Sequence, residues 1–240
     1  MDKEQKEWLD TVYNAFDGEC MFVEHTLQKY RNTTTKSGDH QGGVETCLDS
    51  HLKLYADIVR SHLDIGDRVL SVGAGGGIAD RAYFIATRTP VVAIDLEKST
   101  RAAELLYPCP GVKRFVVDLR EGIPKCVAEL GPYNKVLLTD VYEHLDRCTG
   151  MRTIQAISEL MTDDGVLLVS VPIWPAGAVD GNAFHLRTFR SKADVLQEMQ
   201  YVLNDKQKSV WARTGDHAKT WGNCEKDLLQ SRRSSNCVKE

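Results

Sequence analysis

Residues 69–80 read VLSVGAGGGIAD, and this stretch decides the fold prediction. The apolar run 69–72 leads into a loop in which Gly73, Gly75 and Gly77 occupy alternate positions. Glycine permits the positive φ angles of a tight strand-to-helix turn and lets a ligand approach the backbone. A helix that begins after the loop points its free N–H groups and positive dipole end toward that ligand. The stretch therefore predicts a strand, a ligand-binding loop and a helix in succession.

The chain around this stretch alternates short apolar runs with helical segments. Runs this apolar are typical of strands in a parallel sheet that helices cover on both faces. The strand predictions are 68–72, 91–94, 114–117, 136–139 and 166–171, followed by 201–203 and 209–213. The helix predictions are 78–88, 97–107, 121–130, 149–161 and 191–200. Alternation of this kind predicts βαβ units and an α/β fold.

Helical segments precede this alternating part of the chain. Apolar residues spaced by three and four predict helices over 1–31 and 44–63, and the polar stretch 32–43 between them is predicted to be a loop. Two interpretations of that loop stay open, namely a lid over the ligand and a surface loop between two packing helices. The predicted division of the chain is into N-terminal helices with the lid loop, an α/β core and a polar tail, at residues 1–66, 67–215 and 216–240.

The composition narrows the class of protein. The 240 residues include 34 acidic and 30 basic side chains, a net charge of -4, which is not the basic balance of a protein that binds nucleic acid through phosphates. No stretch approaches the roughly 20 apolar residues that span a bilayer, so we expect no membrane partner. The seven cysteines are scattered without a Cys-x-x-Cys pair, which favours reduced thiols and a cytoplasmic location.

Two other nucleotide-binding loops fit the glycines less well. A dinucleotide-binding loop, G-x-G-x-x-G, would need a glycine where Ile78 stands, and a phosphate-binding P-loop would end in Gly-Lys-Ser/Thr, which is absent. Asp95 ends the second apolar run, 22 residues after Gly73. A carboxylate there can accept both hydroxyls of a ribose, although a strand-end Asp is also a common helix cap. The succession of strand, glycine loop, helix, second strand and Asp95 favours a nucleoside-type cofactor.

VLSVGAGGGIAD followed by VVAIDLEKS, residues 91–99, resembles motifs I and II of the class I S-adenosylmethionine-dependent methyltransferases. Three later segments resemble family segments in the same order, namely FVVDL at 115–119, LLTDVYEHL at 137–145 and DGVLLVSVP at 164–172. The resemblance covers about residues 50–200. It implies a Rossmann-like seven-stranded, mostly parallel sheet with helices on both faces and an N-terminal helical cap. In this family the last strands are often an antiparallel pair.

The resemblance also implies a cofactor and the residues that hold it. The cofactor is S-adenosylmethionine, with S-adenosylhomocysteine as the product. The implied cofactor-binding residues are Ser71, Gly73, Ala74, Gly75, Gly77, Asp95, Leu96, Asp118, Leu119, Asp140 and Val141. The family usually carries Asp or Glu where Ser71 stands, and that carboxylate commonly helps to hold the methionine amine. This chain has a neutral hydroxyl there.

Methyl transfer is an in-line displacement in which alignment supplies much of the acceleration, and a base is needed only when the acceptor holds a proton. Glu143 and His144 follow the fourth predicted strand, at the edge where open α/β sheets bind ligands. His185 begins a His-Leu-Arg-x-Phe segment that resembles those of small-molecule, quinone and glycan methyltransferases. These three residues are the predicted catalytic groups. We therefore expect methyl transfer to an O or N atom of a small-molecule or glycan acceptor.

Two alternatives remain open from the sequence. Asp140, Glu143, His144 and His185 resemble the E-x-x-E-H…H set of metal-dependent small-RNA 2'-O-methyltransferases, in which Mg²⁺ or Mn²⁺ would lower the pKa of a hydroxyl. We assign no metal site on this basis, because the first position is Asp and the segment also occurs in relatives not known to need metal. The second alternative is a catalytically inactive binding module, and Ser71 motivates it.

Overall fold

The structure of the protein is a computed structural model. It describes residues 54–55, 58–75, 77–106, 108–174, 185–203, 209–216 and 226–231. The predicted helix 1–31 and the predicted lid loop 32–43 lie outside these residues. Of the predicted helix 44–63, residues 54–55 and 58–62 are described, and they are helical.

The strands of the described residues form a single sheet. They are β1 (Val69–Val72), β2 (Val91–Asp95), β3 (Val112–Val116), β4 (Tyr133–Thr139), β5 (Met161–Ile173), β6 (Ser209–Asp216) and β7 (Lys226–Ser231). Their order is β3-β2-β1-β4-β5-β6-β7. All neighbours pair in parallel except β6 and β7, which are antiparallel. The predicted parallel α/β sheet is therefore confirmed.

Helices follow most of the strands. They are α1 (Ile78–Thr87), α2 (Glu97–Leu106), α3 (Lys125–Ala128), α4 (Arg147–Leu160) and α5 (Lys192–Leu203). A 3-10 turn, Tyr142–His144, precedes α4. None of the described helices has the length and apolar content needed to cross a membrane.

The structure differs from the sequence predictions around residues 121–130 and after residue 200. The apolar triplet 201–203 is the end of α5 and not a strand, because a run this short carries no distinguishing period. Helix α3 occupies only part of the predicted helix 121–130. Pro124 stands at its N-cap in an extended conformation and has no backbone N–H for a helical hydrogen bond, so the helix begins after it. The antiparallel pair that the sequence placed at 201–213 is instead formed by β6 and β7. Strand β7 lies inside the predicted polar tail 216–240.

The sheet separates two apolar clusters because successive strand residues face opposite sides. On β1, Leu70 and Val72 belong to one cluster and Val69 to the other. The first cluster also contains residues of α3, α4 and α5, namely Val127, Ile154, Ile157, Val195 and Met199. The second contains residues of α1 and of the helical segment before β1, namely Ala79, Ala82, Tyr83, Ile58 and Val59. Helices therefore cover both faces of the sheet, as predicted.

The strand order places a ligand-binding edge at the centre of the sheet. Strand β1 pairs with β2 on one side and with β4 on the other, so the winding direction of the chain reverses at β1. Ligands of open α/β sheets bind at the carboxyl ends of the strands beside such a reversal. The residues that follow β1, β2 and β4 at this edge begin with Gly73, Leu96 and Asp140.

Candidate cofactor and acceptor site

The loop after β1 is built from glycines in left-handed backbone conformation. Gly73, Gly75 and Gly77 have φ angles of 70°, 58° and 79°. Residues other than glycine rarely adopt this conformation, because their Cβ atom comes too close to the following carbonyl oxygen. The alternating glycines of the sequence are therefore the residues that turn the chain from β1 into α1.

The surroundings of the three glycines differ. A Cβ on Gly73 would lie 2.1 Å from Cγ2 of Val141, and a Cβ on Gly77 would lie 2.8 Å from Cβ of Ala103. A Cβ on Gly75 would have no atom within 4 Å. The loop is thus packed at its two ends and open at its centre, where a ligand can reach the backbone.

Asp95, at the end of β2, is hydrogen-bonded to this loop. Its Oδ2 accepts from the backbone N–H of Gly75 at 2.7 Å, and its Oδ1 accepts from that of Leu96 at 2.6 Å. Burial raises the pKa of Asp95, while these two N–H groups and the Ser99 side chain oppose the shift. Each carboxylate oxygen has a further lone pair, so both can still accept from a diol. Leu96 beside it is 52% exposed.

Asp118, which follows β3, is held by a neighbouring arginine. The Arg120 guanidinium and backbone N–H donate to its carboxylate, with Nε 2.9 Å from Oδ1 and 3.0 Å from Oδ2. These contacts lower the pKa of Asp118 to about 2. Leu119 packs against the core. The structure therefore presents Asp118 as an ionised carboxylate whose oxygens already have a donor.

Asp140, which follows β4, is fixed by a serine that the sequence did not single out. The Asp140 N–H donates to the Ser170 carbonyl at 2.9 Å, and the Ser170 hydroxyl donates to Asp140 Oδ1 at 2.8 Å. Asp140 has a positive φ of 53°, which turns the chain so that Val141 meets Gly73. Ser170 is buried on the adjacent strand β5. Its signal in the sequence is only a hydroxyl within an apolar strand.

The three predicted catalytic residues come together although 41 positions separate His144 from His185 along the chain. The Glu143 carbonyl accepts hydrogen bonds from the N–H groups of Leu186 at 2.9 Å and Arg187 at 3.1 Å. This pairing brings His185 beside His144, with ring centroids 4.8 Å apart and planes at 73°. One potential ligand atom from each of Glu143, His144 and His185 lies within 4.8 Å of the others.

Arg187 holds this segment in place, and sequence reasoning assigned it no such role. Its guanidinium lies over the rings of Tyr142 and Phe189, at 4.6 and 4.8 Å from their centroids. It also pairs with Glu198 of α5, which accepts a 3.1 Å hydrogen bond from the Tyr142 hydroxyl. Arg187 thus packs against two aromatic rings that stack on each other, with centroids 5.8 Å apart, and connects the segment of His185 to that of His144.

Ser71 is the one predicted cofactor-binding residue that the structure buries under the glycine loop. Its side chain is on the sheet face that α1 covers, opposite to Leu70 and Val72, and the residue is 6% exposed. The glycines, Asp95 and Leu96 surround the open centre of the loop. The histidine pair follows β4, on the side of β1 away from Asp95.

Comparison with known proteins identifies the fold of the chain. No protein-family model and no curated protein sequence matches it. The pyocyanin biosynthetic protein PhzM is 19% identical, with a TM-score of 0.54, over 71% of this chain and 55% of PhzM. A putative methyltransferase from Bacillus halodurans C-125 is 20% identical, with a TM-score of 0.52, over 64% of this chain and 68% of its own. The chain has a class I methyltransferase fold.

A third solved structure with this methyltransferase fold contains ligands. It is an O-methyltransferase from neocarzinostatin biosynthesis, in complex with S-adenosyl-L-homocysteine and 1,4-dihydroxy-2-naphthoic acid. It is 17% identical to this chain, with a TM-score of 0.52, over 92% of this chain and 70% of its own. This chain spans little more than half the length of PhzM. At these identities the likeness establishes the methyltransferase fold and not the reaction.

Proposed function

We propose that the protein is an S-adenosylmethionine-dependent methyltransferase that acts on an O or N atom of a small-molecule acceptor. The observation that carries the proposal is the hydrogen bond from the Gly75 N–H to Asp95, which joins a loop of three positive-φ glycines to the end of β2. This junction lies where the strand order reverses, at the edge that binds nucleoside cofactors in open α/β sheets.

The residues present fit such a cofactor. Gly75 leaves open space over the loop, Asp95 retains lone pairs for the ribose hydroxyls, and Leu96 offers exposed apolar surface beside them. The residues that would hold the cofactor are Ser71, Gly73, Ala74, Gly75, Gly77, Asp95, Leu96, Asp118, Leu119, Asp140 and Val141. When bound, the cofactor supplies a methyl group activated by a sulfonium.

The histidine pair provides candidate groups for removing a proton from the acceptor. An imidazole nitrogen can accept a proton, so His144 or His185 is a candidate general base for an acceptor hydroxyl or amine. Glu143 is 1% exposed and adjoins both rings, so it is suited to orient them. The neocarzinostatin enzyme was solved with a hydroxylated naphthoic acid, and this favours a small aromatic acceptor. A glycan hydroxyl is the alternative within the same chemistry.

A second candidate function is metal-assisted transfer to a hydroxyl. The approach of Glu143, His144 and His185 to within 4.8 Å of one another favours it, because one carboxylate and two imidazoles suit Mn²⁺, Fe²⁺ or Zn²⁺. Such an ion would lower the pKa of an acceptor hydroxyl. An RNA end is one acceptor of this kind, although the net charge of -4 does not favour it.

Calorimetry with S-adenosylmethionine and S-adenosylhomocysteine tests the cofactor. We expect both to bind, and we expect Asp95→Asn to weaken binding at least about tenfold, since a charged hydrogen-bond partner contributes about 1.5–3 kcal/mol. Glu97→Gln is the matched control, because Glu97 is an exposed acid two positions further on that pairs only with Arg101 among the described residues. Absence of heat at millimolar cofactor with the wild-type protein would contradict the proposal.

Methyl transfer to a panel of phenols, naphthols, amines, sugars and RNA ends tests the reaction. We expect product from a small-molecule acceptor, and a loss of about 10²–10⁴ in rate for a variant that lacks the general base, His144→Ala or His185→Ala. Activity that disappears with chelator and returns with Mn²⁺ would favour the metal-assisted candidate. Cofactor binding without transfer to any acceptor would favour an inactive binding module.

A further inference from the structure

Three residues on neighbouring strands form a row across the sheet beneath the glycine loop. Ser71 of β1 is in register with Ala93 of β2, and Ala93 is in register with Arg114 of β3. Residues in register on parallel strands point to the same face of the sheet. Because the middle residue is only an alanine, the long Arg114 side chain has room to lie along this face.

A carboxylate from α1 faces this row. Asp80, in the first turn of α1, is 0% exposed, and its Oδ2 lies 3.8 Å from Nη2 of Arg114, whose side chain is 5% exposed. Burial raises the pKa of Asp80 to about 6, and the Ser71 hydroxyl and the Arg114 guanidinium oppose that shift. Ser71, Asp80 and Arg114 therefore form one buried polar cluster, which we call the sub-loop cluster.

The sub-loop cluster has unused hydrogen-bonding capacity. Within the part of the chain that the structure describes, neither carboxylate oxygen of Asp80 has a hydrogen-bond donor, and neither Nε nor Nη2 of Arg114 has an acceptor. Buried charges are costly unless they are paired and hydrogen-bonded, so they are seldom kept without a use. The stability of the fold alone does not explain this arrangement.

The cluster adjoins the loop that would bind the cofactor. A Cβ on Gly77 would lie 2.9 Å from Nη2 of Arg114, and Arg114 lines the same small pocket as Gly75 and Asp95. The methionine end of S-adenosylmethionine carries two positive groups, an ammonium and a sulfonium, and one negative carboxylate, so it is cationic overall. A negative charge held under the loop would attract this end, and the attraction is strong where water is excluded.

On the basis of the proposed function, we propose that Asp80 is a positioning residue for the cofactor. On cofactor binding, the Ser71 hydroxyl donates to this buried carboxylate, which supplies from α1 the negative charge that the end of β1 lacks. Ser71 is then the neutral link between the charge and the methionine end. Arg114 keeps the carboxylate ionised while the pocket is closed to water.

A structural role for the Asp80–Arg114 pair makes a different prediction. If the pair only stabilises the loop, its loss changes the affinity of every ligand of the loop equally. Replacement of both partners with neutral residues is then often tolerated by the fold. A positioning role affects only ligands that carry the methionine end. S-adenosylhomocysteine and 5'-methylthioadenosine separate the two roles, because both contain the adenosine and the thioether but only the first has the ammonium.

The test is calorimetry of both ligands with three proteins. They are the wild type, the double variant Asp80→Asn with Arg114→Met, and the same double variant with Ser71→Asp added. The double variant removes both charges and so leaves no lone buried cation. We expect it to bind S-adenosylhomocysteine about tenfold more weakly, with less than a twofold change for 5'-methylthioadenosine. Adding Ser71→Asp should restore the affinity for S-adenosylhomocysteine to within about threefold of the wild type.

Other outcomes would overturn the inference. Equal weakening of both ligands, or no weakening of either, would assign the pair to the architecture of the loop. If the double variant is unfolded at the assay temperature, Ser71→Ala takes its place, because it removes only the hydroxyl. Equal changes in the affinity of the two ligands for Ser71→Ala would also overturn the inference. A wild-type protein that binds neither ligand contradicts the proposed function itself, whereas wild-type binding with an unselective variant contradicts only the role of Asp80.

Discussion

The guanidinium of Arg187 lies over the ring of Tyr142, 4.6 Å from its centroid, with the Phe189 ring 4.8 Å away. Tyr142 begins the 3-10 turn that carries His144, and Arg187 is two positions after His185. The contact therefore joins the two chain segments that supply the histidine pair. The relative position of the two imidazoles depends on side chains that do not belong to the pair.

The first prediction concerns this contact. Arg187→Met leaves Glu198 with the hydrogen bond from Tyr142 and a 3.4 Å ion pair to the exposed Arg147, and it removes the cation over two aromatic rings. We expect a loss of about 3 kcal/mol in the free energy of unfolding, because breaking a buried ion pair leaves an uncompensated charge. Urea denaturation measures it. Arg101→Met is the control, since Arg101 is 72% exposed and its pair with Glu97 should contribute less than about 1 kcal/mol. Equal losses in the two variants would contradict the anchoring role of Arg187.

The second prediction separates two glycines of one loop. Gly73→Ala places a Cβ 2.1 Å from Val141 at a φ of 70°, whereas Gly75→Ala meets no atom within 4 Å at a φ of 58°. Both variants bear the cost of left-handed backbone, about 1–2 kcal/mol, and only Gly73→Ala adds overpacking, about 1–3 kcal/mol. We expect Gly73→Ala to be the less stable protein in urea denaturation. Similar midpoints would show that β1 and β4 are not packed together at this point.

The third prediction concerns pH. The pKa of Asp80 is about 6 in the folded protein against an ordinary value of 3.8, so the folded state binds a proton more readily than the unfolded state. The stability that this proton contributes is fully present below about pH 4 and is lost as the pH rises through 6. The loss amounts to about 3 kcal/mol by pH 7, since each pKa unit corresponds to about 1.4 kcal/mol.

Comparison with the double variant Asp80→Asn with Arg114→Met isolates this effect, because neither new side chain titrates and no lone buried cation remains. We expect the free energy of unfolding of the wild type, relative to the variant, to fall between about pH 4 and pH 7. Urea denaturation across this range provides the measurement. A difference that stays constant with pH would mean that Asp80 titrates normally in the folded protein.

Much of the fold could be predicted because its signals are local. Apolar runs such as 91–94 and 136–139 mark buried strands, and the structure extends each by only a few residues to Val91–Asp95 and Tyr133–Thr139. Periodicity failed where it had too few residues to act on, as in the triplet 201–203, which belongs to α5. The predicted helix 121–130 was too long at its N-terminal end, because Pro124 has no backbone N–H for a helical hydrogen bond and α3 begins after it.

The candidate site could be predicted only in part. Gly73 and Asp95 stand at the ends of strands, so topology alone brings them to one edge of the sheet. Arg114 gives no such signal, because its partner Asp80 is 34 positions away and the pair exists only through the register of β1, β2 and β3. The stacking of Arg187 on Tyr142 likewise requires two distant segments to meet. Polar residues that are buried together cannot be told from surface residues in the sequence of a single chain.

The row from Ser71 through Ala93 to Arg114 has a consequence for evolution. A side chain larger than alanine at position 93 would fill the space that Arg114 occupies, and the loss of either Arg114 or Asp80 would leave the other as a lone buried charge. Selection should therefore act on these positions jointly. In descendants of this chain we expect Asp80 and Arg114 to be gained or lost together, and an acidic residue to appear at position 71 where they are lost.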